Sequence, residues 1–191
     1  MTDYYHAHFH DYFNRTVSVD SALFLKPFTQ MLRPGASVLD IGCGSGRDLL
    51  WLKRQGFRAT GFERSAGLAA LARRHSGCEI IEGDFEVFDF SKFSFEAILA
   101  SGALVHIPHL RLADVLTNIK QALGPSGIFY LSVKQGENTR TDSLGRTFYF
   151  WRDQDIRTIF LQIRMNVIFF SVSRSALNSP DLWLSYIFEP V

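Results

Sequence analysis

The sequence predicts a doubly wound α/β sheet of seven strands, mostly parallel and closed by an antiparallel C-terminal hairpin. Three observations carry that expectation. From Ser37 onward short apolar runs alternate with helical patterns, the order of a parallel sheet with crossover helices. The first run is joined to a helix by a turn with glycine at every second position, Gly42, Gly44 and Gly46. The last two apolar runs, 166–173 and 182–189, are separated only by 174–181, the length of a hairpin connection rather than a crossover.

Taken in order, SVLDI (37–41) reads as a buried strand, and 45–56 as a helix with Leu49, Leu50 and Leu52 inward and Gly56 as its stop. A second strand covers 57–62. An Ala/Leu helix follows over 65–77, with Ser65 as N-cap and Gly77 at its end. The third strand, 78–84, is followed by a stretch (85–94) too short and irregular for a full crossover helix. A fourth strand spans 95–102. Leu112, Val115, Leu116, Ile119 and Leu123 then recur at helical spacing, with Gly124-Pro125 as the expected stop. The fifth strand is 128–136, and a helix over 152–163 precedes the hairpin. Residues 4–16 are aromatic and polar, and 21–32 reads as a helix. The chain is expected to be one domain, with 1–34 as a cap segment over the sheet's ligand edge, 35–135 as a binding core, and 136–191 as a C-terminal helix and hairpin.

Charge excludes some partners. Lys and Arg number 20 against 19 Asp and Glu, a formal net charge of +1. That balance gives no electrostatic reason to expect nucleic acid or an anionic membrane. The cluster Arg73, Arg74 and His75 is expected to be a solvated helix face. Cys43 and Cys78 have no zinc-ligand spacing and read as free thiols of a reducing cytosol. The first ten residues lack the basic and apolar regions of a signal peptide, and the apolar stretch 165–174 is too short to span a bilayer, so a cytoplasmic protein is expected.

In a doubly wound sheet the loop after the first strand holds a ligand. A triphosphate cradle requires Lys then Ser or Thr after the last glycine, where this chain has Arg47 and Asp48. A dinucleotide fingerprint requires its third glycine where Arg47 stands. Asp40 and Asp48 flank the loop and would repel either phosphate. A ligand with an amino group, a sulfonium and a ribose suits this acidic rim. Glu63, at the second strand's end, is placed to accept from both ribose hydroxyls. Asp84, after the third strand, can accept from an adenine amine, or cap its own turn. Phe85 can pack on the adenine ring or belong to the core. S-adenosylmethionine meets that description.

The segments VLDIGCGSG, GFERS, EGDFEVF, FEAILASGALVHIP and LGPSGIFYLSV, in this order and spacing, resemble the class I S-adenosylmethionine-dependent methyltransferases, a Rossmann-like family. More narrowly, NRTVSVD, GCGSGRD and GRTFYFW look like a small bacterial group of mostly unassigned substrate, some labelled as tellurite-resistance methyltransferases. The resemblance implies that Gly42, Gly44 and Gly46 line the methionine and ribose portion, with backbone contacts from Cys43 and Ser45. It implies that Asp40 holds the loop or meets the amino group through water, that Arg64 flanks the adenine, and that Ser101 and Gly102 pass under the sulfonium. The seventh, antiparallel strand is also implied.

Displacement at a sulfonium carbon needs alignment and exclusion of water, and a base only where the nucleophile must lose a proton. His106, after the fourth strand, is the candidate base, or else packs beneath the cofactor. His6, His8 and His10 alternate as strand-spaced metal ligands would, but with no acidic or thiol partner beside them no metal is expected. Tyr4, Tyr5, Tyr12 and Phe13 read as a lid, Tyr12 shaping the acceptor pocket. The resemblance suggests that Arg15 and Thr16 close over the methionine end. Residues 141–151 are expected to be a second pocket wall, where Arg146 meets an acidic acceptor or pairs with Asp142 or Asp153. A methyltransferase acting on a small molecule is the leading expectation. A protein or nucleic-acid methyltransferase and a non-catalytic cofactor-binding module are the alternatives.

Overall fold

A computed structural model describes residues 4–177 and 179–191. Nine strands and seven α-helices are formed among them, in the order α1 (Tyr4–Ala7), α2 (Phe9–Thr16), α3 (Ala22–Thr29), β1 (Ser37–Ile41), α4 (Arg47–Arg54), β2 (Arg58–Glu63), α5 (Ala66–Ser76), β3 (Glu79–Glu82), β4 (Phe95–Ser101), α6 (His109–Lys120), β5 (Leu123–Lys134), β6 (Thr139–Thr141), β7 (Thr147–Tyr149), α7 (Asp153–Gln162), β8 (Met165–Arg174) and β9 (Leu182–Pro190). Seven of the strands make one sheet ordered β3-β2-β1-β4-β5-β9-β8. The first five are parallel, and β9 and β8 run antiparallel.

Alternation along the strands divides the core between the two faces. Leu39, Ile98 and Leu131 pack with Leu112 and Leu116 of α6 and Phe160 of α7. Val38, Leu99 and Tyr130 point the other way, toward Leu25 and Phe28 of α3 and Leu52 of α4. With both faces covered, the central strands read as continuous apolar runs. The strand order reverses between β1 and β4, and ligands bind at such a reversal, beyond the strands' carboxyl ends.

The expected elements of the core are present, with caps where the sequence placed them. Ser65 Oγ accepts from Leu68 N at 3.4 Å, and Gly77 ends α5 in the left-handed conformation. Between β3 and β4 only a short 3-10 turn forms, Phe90–Lys92.

Four features depart from expectation. Residues 4–16 form helices α1 and α2, so His6, His8 and His10 are not strand-spaced. No group of three metal-ligating side chains occurs among the described residues. Helix α6 ends at Lys120, ahead of Gly124-Pro125. Residues 124–127 instead bulge within β5, whose register against β4 jumps from Leu123–Phe95 to Ile128–Ala97. Overlapping 141–151, expected as a pocket wall, lies an antiparallel ribbon that the sequence did not suggest, β6 with β7. Asp142 builds its turn, accepting from Leu144 N at 2.9 Å and Arg146 N at 3.0 Å. Within the expected 174–181 connection, Asn178 lies outside the described residues, as do 1–3.

Candidate functional site

The carboxyl ends of β1 to β4 enclose a cavity. It is lined by Gly42, Gly44, Glu63, Arg64, Asp84, Phe85, Ser101, Gly102 and His106, with Tyr5 and Tyr12 from the lid. Ten of the residues singled out from the sequence, from Tyr12 to His106, line this one cavity, and Tyr5 joins them.

The glycine loop is shaped by close approach. Gly42, Gly44 and Gly46 all have positive φ, at 63°, 54° and 75°. At Gly44 a Cβ would also crowd the Tyr12 ring at 3.1 Å, on top of the strain its positive φ gives any side chain. Glu63 braces the loop from below. Its Oε2 accepts from Gly44 N at 3.0 Å and its Oε1 from Ser65 N at 2.8 Å. Burial pushes its carboxyl above the ordinary range, against the pull of those backbone donors. Each oxygen keeps a lone pair for a further donor.

Asp84 does two things at once. Its Oδ1 caps its own turn through Glu86 N at 3.0 Å, and its Oδ2 faces Arg64 at 3.5 Å. Phe85 is half-buried, both on the cavity and against the core.

Four expected loop residues serve from outside the cavity wall. Cys43 packs its sulfur on Gly61, and its N–H is spent on Phe62 O at 3.1 Å. Ser45 is buried, and Gly46 starts α4 while donating to Cys43 O. Asp40 is buried beneath the loop with Oδ2 unpartnered. Burial, then the Asp48 charge, pushes its carboxyl well up, Arg47 opposing. Asp48 itself is held by Arg47 and by Ser21.

Of three further candidates for the chemistry, His106 reaches the cavity, and Arg15 and Arg146 lie outside its wall. Both ring nitrogens of His106 are engaged: Nδ1 donates to Thr147 O at 2.5 Å, which leaves Nε2 to accept from the Tyr5 hydroxyl at 2.7 Å. Burial holds the imidazole neutral by lowering its pKa. Burial likewise raises the Tyr5 phenol, so it stays protonated. Arg15 is exposed over the Tyr12 ring, 5.6 Å from its centroid, and lines no cavity described. Arg146 takes the intrachain option, pairing with Asp142 at 2.6 Å and covering the Tyr4 ring. It lines an outer hollow behind Tyr5 and His106.

The lid is docked through its backbone and one ring. Ser65 Oγ donates to Tyr5 O at 2.9 Å, and Phe9 lies where a Cβ on Gly67 would stand, 2.6 Å away.

A second cavity, absent from the sequence reading, opens beside the first. It shares Tyr12, Ser101 and Gly102 with it and extends over β5 and β9, past Ser132, Ser185 and Trp183. Next to Trp183 on its wall, and outside the lining itself, lies an ion cluster built on a buried pair. Lys134 Nζ reaches Asp181 Oδ2 at 2.5 Å, with Arg140 on Oδ1 at 2.8 Å, and lies 4.1 Å from the Phe148 ring centroid. The available signal was a lone serine inside each of two apolar runs, FYLSV and LWLSYIF.

A family model described as a methyltransferase domain matches residues 11–165. A sterol 24-C-methyltransferase of Gibberella zeae is 35% identical over 108 residues, which cover 51% of this chain and 27% of that protein. The chain thus spans about a quarter of the length of that curated relative. Among solved structures, magnesium protoporphyrin IX methyltransferase from Synechocystis, crystallised with S-adenosylhomocysteine, superposes with a TM-score of 0.78 at 14% identity, covering 99% of this chain and 97% of that one. A TehB-like S-adenosylmethionine-dependent methyltransferase from Corynebacterium glutamicum gives 0.73 at 21% identity, covering 97% and 99%. At these identities the two structures share the fold.

Proposed function

We propose that this chain, which belongs to the methyltransferase-domain family, uses S-adenosylmethionine to methylate a small molecule by direct displacement. The observation that carries the reading is Glu63, an acid held at the end of β2 by two backbone donors with a lone pair left on each oxygen. The residues present fit this cofactor. Gly42 and Gly44 give a cradle without side chains, and Asp40 keeps a buried carboxylate oxygen unpartnered beneath it.

In this reading Glu63 takes the ribose hydroxyls, Asp84 and Phe85 receive the adenine, and Arg64 flanks it. Ser101 and Gly102 underlie the reacting end. Asp40 supports the cradle from beneath or meets the amino group through water, while Cys43, Ser45 and Gly46 hold its backbone. Bound there, S-adenosylmethionine supplies an electrophilic methyl on a sulfonium, a leaving group that asks for alignment more than activation. Tyr5 and Tyr12 close the cavity against water. His106 latches that closure, tying α1 to the segment after β4 and to β7. Its second reading, as a base, passes through the Tyr5 hydroxyl, since Tyr5 also lines the cavity. The sterol and porphyrin named for its relatives favour a small acceptor, and the net charge of +1 gives nucleic acid no foothold.

Calorimetry with S-adenosylmethionine and with NAD tests the cofactor directly. Binding of the first and not the second is expected, followed by release of S-adenosylhomocysteine in a screen of small acceptors. Binding of NAD alone would overturn the reading.

A further inference from the structure

We propose that the cavity over β5 and β9 is the acceptor site and that it takes a small, flat molecule bearing a carboxylate. The inference rests on the methyl-transfer reading above and adds the chemical class of the acceptor.

Place comes first. The cavity, about 130 Å³, meets the cofactor cavity at Ser101 and Gly102, beneath the reacting end. The outer hollow behind Tyr5 shares Glu86 and His106 with it instead, away from the glycine cradle.

The floor is a row of hydroxyls. Ser101 pairs in register with Ser132, Ser132 with Ser185, and Ser185 with Ser171, on four adjacent strands. Directly paired residues point to one face, so these serines form a polar line across a sheet that is otherwise apolar. Ser132 and Ser185 are almost wholly buried, at 6% and 4% exposure. Ser132 Oγ accepts from Gly102 N at 3.0 Å, and Ser185 Oγ accepts from the Tyr130 hydroxyl at 3.2 Å. Each therefore keeps a hydrogen to give, to a neighbouring hydroxyl or to a molecule in the cavity it lines. Burying hydroxyls so is costly unless something accepts from them.

Charge supplies the sign. Two arginines line this cavity and no acid does. Arg47 is compensated by Asp48 at 3.1 Å, whereas Arg174 is exposed on the rim with no ion pair among the described residues. Donors below and an uncompensated cation above select an oxyanion. Trp183, which lies 3.1 Å from a Cβ position on Gly102, and Phe24 give flat walls. The cofactor's own carboxylate is the rival anion, and the test must separate the two.

The probe is sodium benzoate, with benzamide as its uncharged counterpart, titrated into protein saturated with S-adenosylhomocysteine. The Trp183 indole signal in NMR, assigned by its loss in Trp183→Phe, reports occupancy. Benzoate is expected to bind about threefold to tenfold more tightly than benzamide. Arg174→Ala removes that preference, Arg174→Lys keeps most of it, and neither changes affinity for S-adenosylhomocysteine. Equal binding of the two probes, or no response at Trp183, overturns the proposal. Loss of S-adenosylhomocysteine affinity in Arg174→Ala overturns it too, giving the anion site to the cofactor. Failure of the unaltered protein to bind S-adenosylhomocysteine overturns the underlying reading instead, and this one with it.

Discussion

The two neighbouring cavities share Tyr12, Ser101 and Gly102 and are built in opposite ways. The first is lined by acids and has its walls set by main chain: strand ends, a glycine loop, and a carboxylate spent on backbone donors. The second is lined by no acid, and beside it side-chain pairs, Lys134, Asp181 and Arg140, join β5, β6 and the start of β9. A site for one invariant ligand can be written into the backbone. A site that varies with its substrate is cheaper to assemble from side chains on strand ends and connections.

The sharpest way to break this contrast is at Asp181. Burial alone would raise its carboxyl, but bonds from Lys134 and Arg140 outweigh that and hold it below the ordinary range. Asp181→Ala leaves the buried Lys134 ammonium uncompensated and should cost about 3 kcal/mol of stability in urea unfolding. Replacing both partners by apolar residues of similar volume should recover most of it. Because the carboxyl is depressed in the fold, its contribution is full above the unfolded aspartate value and disappears as pH falls through the lower folded one. Cofactor affinity of whatever remains folded should change little. A parallel loss of cofactor affinity would show that the two walls are one unit.

Glu63 is the corresponding test on the acidic side. Glu63→Ala should leave the strand in place and weaken S-adenosylmethionine binding by about 1–3 kcal/mol, read by calorimetry. The pH dependence has a definite sign. Burial raises this carboxyl, so acid protonates it earlier than an ordinary glutamate and it then offers one acceptor fewer. Affinity should therefore fall as pH drops through that raised value, and the fall should be absent in the variant. Unchanged affinity in Glu63→Ala would place the ribose elsewhere.

The same division explains what could be read from the sequence. Residues 37–134 carry local signals at most steps, Gly124-Pro125 being the exception: apolar runs of strand length, a helix cap at Ser65, stops at Gly56 and Gly77, and glycines where the loop needs positive φ. The cofactor cavity inherits that legibility, since Glu63 ends β2 and Asp84 stands two residues past β3. Helices α1 and α2 had no comparable signal. Their aromatic and polar residues lack an aliphatic helical stripe, and contacts that only the fold creates, Phe9 on Gly67 and Tyr5 under Ser65, hold them. The ribbon β6–β7 has three residues per strand, too few for alternation to show. The second cavity depends on register. Ser132 and Ser185 look like blemishes in apolar strands until the sheet order sets them side by side.

The smallest expected effect lies at Tyr5 and His106, and it decides between a latch and a base. The bond between them is neutral and joins the lid to the segment after β4. Tyr5→Phe removes the hydroxyl but keeps the ring, and leaves Nε2 without its donor. His106→Ala removes the other partner and the tie to Thr147 as well. If the pair is a latch, each variant should weaken cofactor binding by about 1 kcal/mol, the worth of one such bond, with turnover at saturation nearly unchanged. A base would behave otherwise: turnover would fall by about a hundredfold or more while cofactor affinity held, and the pH dependence of kcat would vanish with the imidazole. An acceptor that arrives as an anion at its reacting atom needs no base. The latch outcome is therefore expected where the acceptor's carboxylate is itself the nucleophile, and the base outcome where another, protonated atom reacts.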